Sequence, residues 1–287
     1  MLAATRIVIT LLKLRIGVAI AASALAGLAA ASGRSASAGE IAALTLAVLG
    51  ASGAAGAFNH YYERDSDKLM ARTAGRPFAS GQLKAGPIWP ATFTALLGAS
   101  IVLAWTAGGT MSAIYVFLGA VTYSLVYTVW LKRRTSWNIV VGGLAGSFAV
   151  LAGAAAIDPE PQWVPSILAA VLFLWTPPHF WSLAAAKADD YAAAGVPMLP
   201  VIAPEREWTL AILSYTAMLA TLSLVPVFFG MGWIYGLFAA AGGGWFLWKS
   251  WLLYRRPSRK AAMQNFLASL VQLLLLVAGV FLSALAG

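Results

Sequence analysis

Cysteine is absent from the sequence. That excludes disulfides, thiolate metal sites and cysteine nucleophiles. Histidine is scarce, with only His60 and His179. Acidic residues number ten in 287, and all charged residues together make up 10% of the chain, where soluble domains carry about 25%. Such a shortage excludes a water-soluble globular domain. Period-two alternation of apolar and polar residues is also missing, which favours helices over a membrane barrel.

Long apolar runs stand in their place. The composition is 61% hydrophobic, and the mean hydropathy is +0.80. A membrane-crossing helix needs about 20 apolar residues. Nine runs meet that need, at 7–31, 41–62, 89–108, 111–131, 137–157, 163–185, 208–229, 232–254 and 264–286. The sequence therefore predicts an all-α integral membrane protein, nine transmembrane helices in one polytopic domain over 1–287. Gly108-Gly109, the Asp158 to Pro161 run and Arg256-Pro257 are among the turn signals between runs. Lys13 and Arg15 lie inside the first run, so it reads as a retained helix and not as a cleaved leader.

A net charge of +9 would suggest nucleic acid in a soluble protein. Here its distribution suits cationic cytoplasmic loops, and no nucleic-acid partner is expected. With the N-terminus placed inside, Arg34 is the one basic residue outside, and the other 18 of the 19 Lys and Arg flank inside loops. The expected setting is a bacterial inner (plasma) membrane, with the N-terminus cytoplasmic and the C-terminus on the opposite side. The longest polar segments, 62–88 and 186–207, both fall on the cytoplasmic side, so an active site is expected to face the cytoplasm.

The first of these segments contains AFNHYYERDSDKLMARTAGRP, Ala57 to Pro77. Asn59, Glu63 and Asp67 are spaced i, i+4, i+8 and form one stripe if the helix continues through them. Asp65 lies off that stripe. Oxygen ligands suit a hard cation such as Mg²⁺, which takes one or two carboxylates together with phosphate oxygens. The neighbouring Lys68, Arg72 and Arg76 suit the remaining phosphate charge. A solvated helix end laced with i, i+4 ion pairs would show similar spacing. Ionisable residues at membrane depth and a second polar cluster on the same side favour the metal and diphosphate reading.

That second cluster runs LFLWTPPHFWSLAAAKADDYAAAGVPMLP, Leu172 to Pro200. Pro177 and Pro178 deprive the carbonyls of Phe173 and Leu174 of their donors and predict a kink. His179 follows, either bonded to a freed carbonyl or acting on substrate. Lys187, Asp189, Asp190 and Tyr191 come next. Two adjacent aspartates cannot face one point on a helix, so one ligand and one solvated carboxylate are expected.

The pattern Asn59-x₃-Glu63-x-Asp65-x-Asp67, with Met70-x-Arg72-Thr73 and Arg76-Pro77, resembles the first aspartate-rich motif of the UbiA-type intramembrane prenyltransferases. The blocks VYTVWLKRRTSWNIVVGG (Val126 to Gly143), LWTPPHFW (Leu174 to Trp181) and DDYAAAGVPMLP (Asp189 to Pro200) resemble the heme O synthase (protoheme IX farnesyltransferase) branch. The likeness covers roughly 10–205. It implies a nine-helix fold around a central cavity and Mg²⁺-dependent transfer of a farnesyl group from farnesyl diphosphate to a heme b vinyl group, with water added. It implies that Asn59, Glu63, Asp67 and Asp190 hold the metal, and that Arg72, Lys132, Arg133 and Lys187 bind diphosphate. His179 and Tyr191 match positions near the heme pocket. A heme-modifying enzyme or a terminal oxidase assembly is the implied downstream partner.

The sequence departs from that pattern in places. Glu63 stands where aspartate is usual, and Leu14 stands where proline is usual, which is expected to remove a kink. Ser147 to Val150 replace a Pro-Pro pair after Gly146. That last change leaves another acceptor, a quinone-ring precursor or a chlorin, as the alternative. A transporter is disfavoured because the polar residues gather at one face and no inverted repeat is visible.

Overall fold

The computed structural model describes residues 2–286, and no strand occurs among them. Helices α1 (Leu2–Leu11) and α2 (Leu14–Ala30) are followed by α3 (Ala38–Tyr62) and the short α4 (Arg64–Asp67). Helix α5 (Ile88–Val121) passes into a π-helical segment, Thr122–Leu131. Then come α6 (Asn138–Gly142), α7 (Leu144–Ala155), α8 (Trp163–Ala186), α9 (Ala188–Ala193), α10 (Leu199–Ile202), α11 (Glu205–Leu222), α12 (Gly232–Arg255) and α13 (Arg259–Ala286).

Among the described residues, six helices are long and apolar enough to cross a membrane, and seven if the bent α1–α2 pair is one span. That is fewer than the nine expected. Two causes account for the difference. The runs 89–108 and 111–131 join into one stretch, Ile88–Leu131, which is interrupted at Gly109 (φ 75°, ψ −171°). A side chain would strain that backbone, and the glycine permits it. The other cause is α12, whose glycines, tryptophans and Lys249 keep its hydropathy low.

Local chemistry explains the helix boundaries near the two membrane faces. Ser37 and Glu40 form a reciprocal cap at the start of α3, satisfying two amide donors that helix geometry leaves free. Arg34 pairs with Glu40 at 2.9 Å and donates to the Ala156 carbonyl at 2.6 Å. Ser32 and Gln162 exchange hydrogen bonds of 2.7 and 2.6 Å. These contacts tie the α2–α3 and α7–α8 connectors together at one end of the bundle. The other end gathers the connector after α3, the turn after the π segment, and α9. Arg259 reaches across it to Asp189 at 2.8 Å.

Two apolar cores flank the centre. One joins α2, α3, α5 and α7 through small residues such as Ala24, Ala47, Ala104 and Ala152. The second joins α8, α11, α12 and α13 around Leu172, Leu219, Tyr235 and Phe246. Small side chains let helices approach closely in a bilayer, where packing and not water exclusion drives association. Between α2, α3, α5 and α7 the packing parts around a central cavity of about 420 Å³.

The first helix bends at 53° between α1 and α2. The absence of proline at position 14 therefore does not straighten it. Lys13 adopts a left-handed conformation (φ 49°, ψ 42°) at the break. The strain is held by contacts of its side chain, described next. Helix α8 runs unbroken through Pro177 and Pro178.

Candidate active site

Helix α3 ends at Tyr62, with Glu63 as its cap residue. The i, i+4 ladder nonetheless continues: Glu63 N bonds Asn59 O at 2.9 Å, and Asp67 N bonds Glu63 O at 2.8 Å. Asn59, Glu63 and Asp67 therefore share one stripe, and each is only 2–3% exposed. Asn59 donates to Glu63 Oε2 at 2.8 Å and to Thr128 Oγ1 at 3.1 Å.

Each oxygen donor of the stripe has its own cation. Lys13 Nζ donates to Asn59 Oδ1 at 2.6 Å and to the Tyr123 hydroxyl at 2.8 Å. Lys132 Nζ lies 2.5 Å from Glu63. Arg76 Nη1 contacts both Asp67 oxygens, at 2.9 and 2.8 Å. Space for the Lys13 stem comes from Gly56, where a Cβ would stand 3.2 Å from Lys13 Cδ. Burial pushes the Glu63 carboxyl up, but Lys132 outweighs it and the group lies below its ordinary range. Burial also holds Lys132 below the ordinary lysine value despite its partner. Two buried charges in contact are stable here only as a pair.

The π-helical segment sets the opposite wall. Thr128 Oγ1 donates to Tyr123 O at 2.8 Å and Lys132 N to Tyr127 O at 2.9 Å, both five residues back. Tyr123 stacks on Tyr127 at 5.6 Å. With this wide turn, Tyr123, Tyr127, Thr128 and Lys132 all meet the stripe or the cavity. Such segments are rare and gather at functional sites.

At the mouth, the Arg72 guanidinium lies 6.0 Å over the Tyr191 ring. Burial raises the Tyr191 phenol above its ordinary value, with Arg72 and Arg76 opposing. Asn59, Asp67, Arg72, Lys132 and Tyr191 all line the cavity, and Glu63 backs onto it through Asn59 and Lys132. Arg133 and Lys187 are exposed, Asp190 is half-buried, and none of the three lines the cavity. Of the two aspartates, expected as one ligand and one solvated carboxylate, Asp189 is the exposed one and pairs with Arg259. Asp65 is exposed and pairs with Lys68 at 3.1 Å.

His179 also lies off the cavity lining. It is 7% exposed and stacks on Trp175 at 4.1 Å, with Phe266 at 4.6 Å. Its Nδ1 bonds Ser269 Oγ at 2.6 Å, not a carbonyl freed by the prolines. Trp175 Nε1 donates to Ser269 O at 2.9 Å. The cluster fastens α8 to α13. His60, by contrast, lines the cavity, and its Nδ1 is buried with no partner among the described residues.

Lys13 and Arg76 complete the ring of charge, and Tyr123 and Thr128 support it. Arg76 is one of the three cations that the sequence places beside the stripe. Lys13 is 46 residues from Asn59, and nothing local in the sequence points to their contact.

The donor set suits Mg²⁺. Two carboxylates and an amide oxygen, all hard, are buried in one stripe, with cations beside them for a polyphosphate. No group of three His, Cys, Asp or Glu side chains converges among the described residues, so a metal here needs phosphate or water oxygens to fill its shell.

A model of the UbiA prenyltransferase family matches residues 20–286. The chain belongs to the UbiA prenyltransferase family. Within that family it is 56% identical over 285 residues to protoheme IX farnesyltransferase 2 of Paramagnetospirillum magneticum, covering 99% of each chain. Among solved structures it is similar to a digeranylgeranylglyceryl phosphate synthase, with TM-score 0.81, 15% identity and 99% of each chain covered. A UbiA homolog from Archaeoglobus fulgidus, bound to GPP and Mg²⁺, gives TM-score 0.74 at 14% identity, covering 97% of this chain and 99% of its own. At those identities the likeness is one of fold: an all-α, integral-membrane UbiA-type bundle around a central cavity.

Proposed function

We propose that this prenyltransferase moves a farnesyl group from farnesyl diphosphate to a vinyl group of protoheme IX (heme b), with addition of water, giving heme O. The observation that carries the reading is an apolar cavity with three buried oxygen donors at one end, each beside its own cation. The full-length identity to a protoheme IX farnesyltransferase supports the acceptor.

Asn59, Glu63 and Asp67 would hold Mg²⁺, and Arg72 and Lys132, joined by Lys13 and Arg76, would bind the diphosphate. Bound there, Mg²⁺ supplies neutralisation of the departing charge. The allylic carbon–oxygen bond breaks, and diphosphate leaves with the electron pair. The heme vinyl group donates its π electrons to form the new carbon–carbon bond. Water adds to the resulting cation and releases a proton. The fixed cations stabilise the leaving group without reorganising, and the apolar walls keep water from the allylic cation. Tyr191 steadies Arg72 at the mouth. Arg133, Lys187, Asp190 and His179 carry no step in this reading.

Nine crossings fit the chain if Ile88–Leu131 is two runs turning at Gly109 and α12 is a further span. The clustering of basic residues favours a cytoplasmic mouth in a bacterial inner membrane.

The test uses the purified protein with farnesyl diphosphate, heme b and Mg²⁺, with mass analysis of the extracted heme. Farnesylated heme is expected, and Asp67→Ala should lower turnover by about a hundredfold or more. Wild-type turnover by Asp67→Ala would sink the metal assignment. Product only with a quinone-ring precursor or a chlorin would replace heme as the acceptor.

A further inference from the structure

The cavity has a polar end and an apolar end, and helices close beneath the apolar end. On α3 its lining descends from Asn59 through Gly56, Ser52 and Val48, a drop of about 16 Å at roughly 1.5 Å per residue. The other walls descend alongside: α2 from Lys13 to Ile20, α5 and the π segment from Tyr123 to Tyr115, and α6–α7 from Gly142 to Ala149. The deepest layer is Ile20, Val48, Tyr115 and Ala149, which belong to one packed apolar cluster. Tyr115 is the largest of the four and stacks on Phe148 at 6.1 Å.

Below that layer the helices touch. A Cβ on Gly153 would stand 1.7 Å from Ala24 O, and one on Gly27 would stand 2.0 Å from Val150 O. So α2 and α7 meet backbone to backbone. Helices α5 and α7 also close, with Ser112 Oγ donating to Ala152 O at 2.8 Å and Gly108 against Ala156. Contact between main chains cannot relax by rotamer changes, so the floor is fixed.

An extended prenyl chain of three isoprene units spans roughly 14 Å, at about 1.3 Å per carbon–carbon bond. That length fits between the oxygen stripe and the deepest layer. A fourth unit adds roughly 5 Å at the same spacing and would run into the floor below that layer. We infer that Tyr115, backed by Phe148 and opposed by Ala149, sets the length of prenyl chain that the enzyme accepts. The inference rests on the prenyl-diphosphate reading of the site and adds the residues that measure the donor.

The experiment is a titration of the purified protein in micelles with Mg²⁺ and the unreactive thiolodiphosphate analogues of geranyl, farnesyl and geranylgeranyl chains. Turnover on heme b is measured in parallel with the three diphosphates in competition. Wild-type protein should prefer farnesyl to geranylgeranyl by about tenfold or more, the scale on which apolar pockets discriminate. Tyr115→Ala should move that ratio toward geranylgeranyl by at least about tenfold. Ala149→Phe, which fills the same layer, should move it toward geranyl, and it decides the matter should Tyr115→Ala fail to fold. Unchanged ratios in the folded variants, or equal wild-type binding of farnesyl and geranylgeranyl chains, would overturn the ruler. Analogue binding without prenylated heme would leave the ruler standing and remove heme as acceptor. No binding of any analogue would remove both.

Discussion

Replacing Lys132 with methionine removes the cation from a nearly buried pair and keeps most of the stem's apolar contacts. The Lys132 side chain is 15% exposed and Glu63 is 3% exposed, with 2.5 Å between them. Breaking a buried pair from one side costs about 3–5 kcal/mol, because the remaining charge is left in a poor solvent. Two features reduce that here. Asn59 still donates to Glu63 at 2.8 Å, and Arg76 stands 3.9 Å away. We expect a loss of about 2–3 kcal/mol for Lys132→Met. Glu63→Gln in the same chain should recover most of it, giving a coupling energy of about 2 kcal/mol. The assay is unfolding of the four members of the cycle in mixed micelles, at several pH values. In the wild type the depressed Glu63 pKa contributes stability above the unfolded carboxylate value, about 4.3, and that contribution is lost as pH falls through the lower folded value. In Lys132→Met the largest charge opposing burial is gone, and the Glu63 pKa rises, with Lys13 and Arg76 still opposing. The two proteins then differ most at high pH, where both carry the Glu63 charge, and the gap should narrow as pH falls through the raised value. A loss under about 0.5 kcal/mol, or a double variant no better than Lys132→Met, would refute the reasoning.

Gly153→Ala places a Cβ against the Ala24 carbonyl and should cost at least about 1–3 kcal/mol through forced separation of α2 and α7, read as lower thermal stability in micelles. His179→Phe should lower stability by about 1–2 kcal/mol through loss of the Ser269 hydrogen bond, while the absorption spectrum of added heme stays that of wild type. A changed heme spectrum would return His179 to the acceptor site.

The stripe was legible because helix periodicity is local: four-residue spacing put Asn59, Glu63 and Asp67 on one face before any fold was known. The apolar runs were legible for the same reason, and their turn at Gly109 was marked by the Gly108-Gly109 pair. The Lys13 bend was not. Its left-handed backbone is held by Asn59 and Tyr123, on two other helices, so proline statistics at position 14 carried no information about it. The partner of His179 was not legible either. LWTPPHFW left it between a freed carbonyl and a substrate, and its neighbours Ser269 and Phe266 lie on α13, far along the chain. Lys187 and Asp190 follow the end of α8 onto a short helix, and residue spacing does not say which way such a turn faces.

The π-helical segment changes how an insertion or deletion in this region should be read. Between Thr122 and Leu131 the chain carries more residues per turn than an α-helix, and Lys132 stands at the end of that surplus. A wider turn advances each residue by less than the roughly 100° of an α-helix, so an ordinary helix over the same residues would turn the Lys132 ammonium away from Glu63. When gene sequences are aligned, a change in the length or form of this stretch therefore marks a different wiring of the diphosphate end. Swapping segments between such genes would exchange a registration spacer along with the side chains.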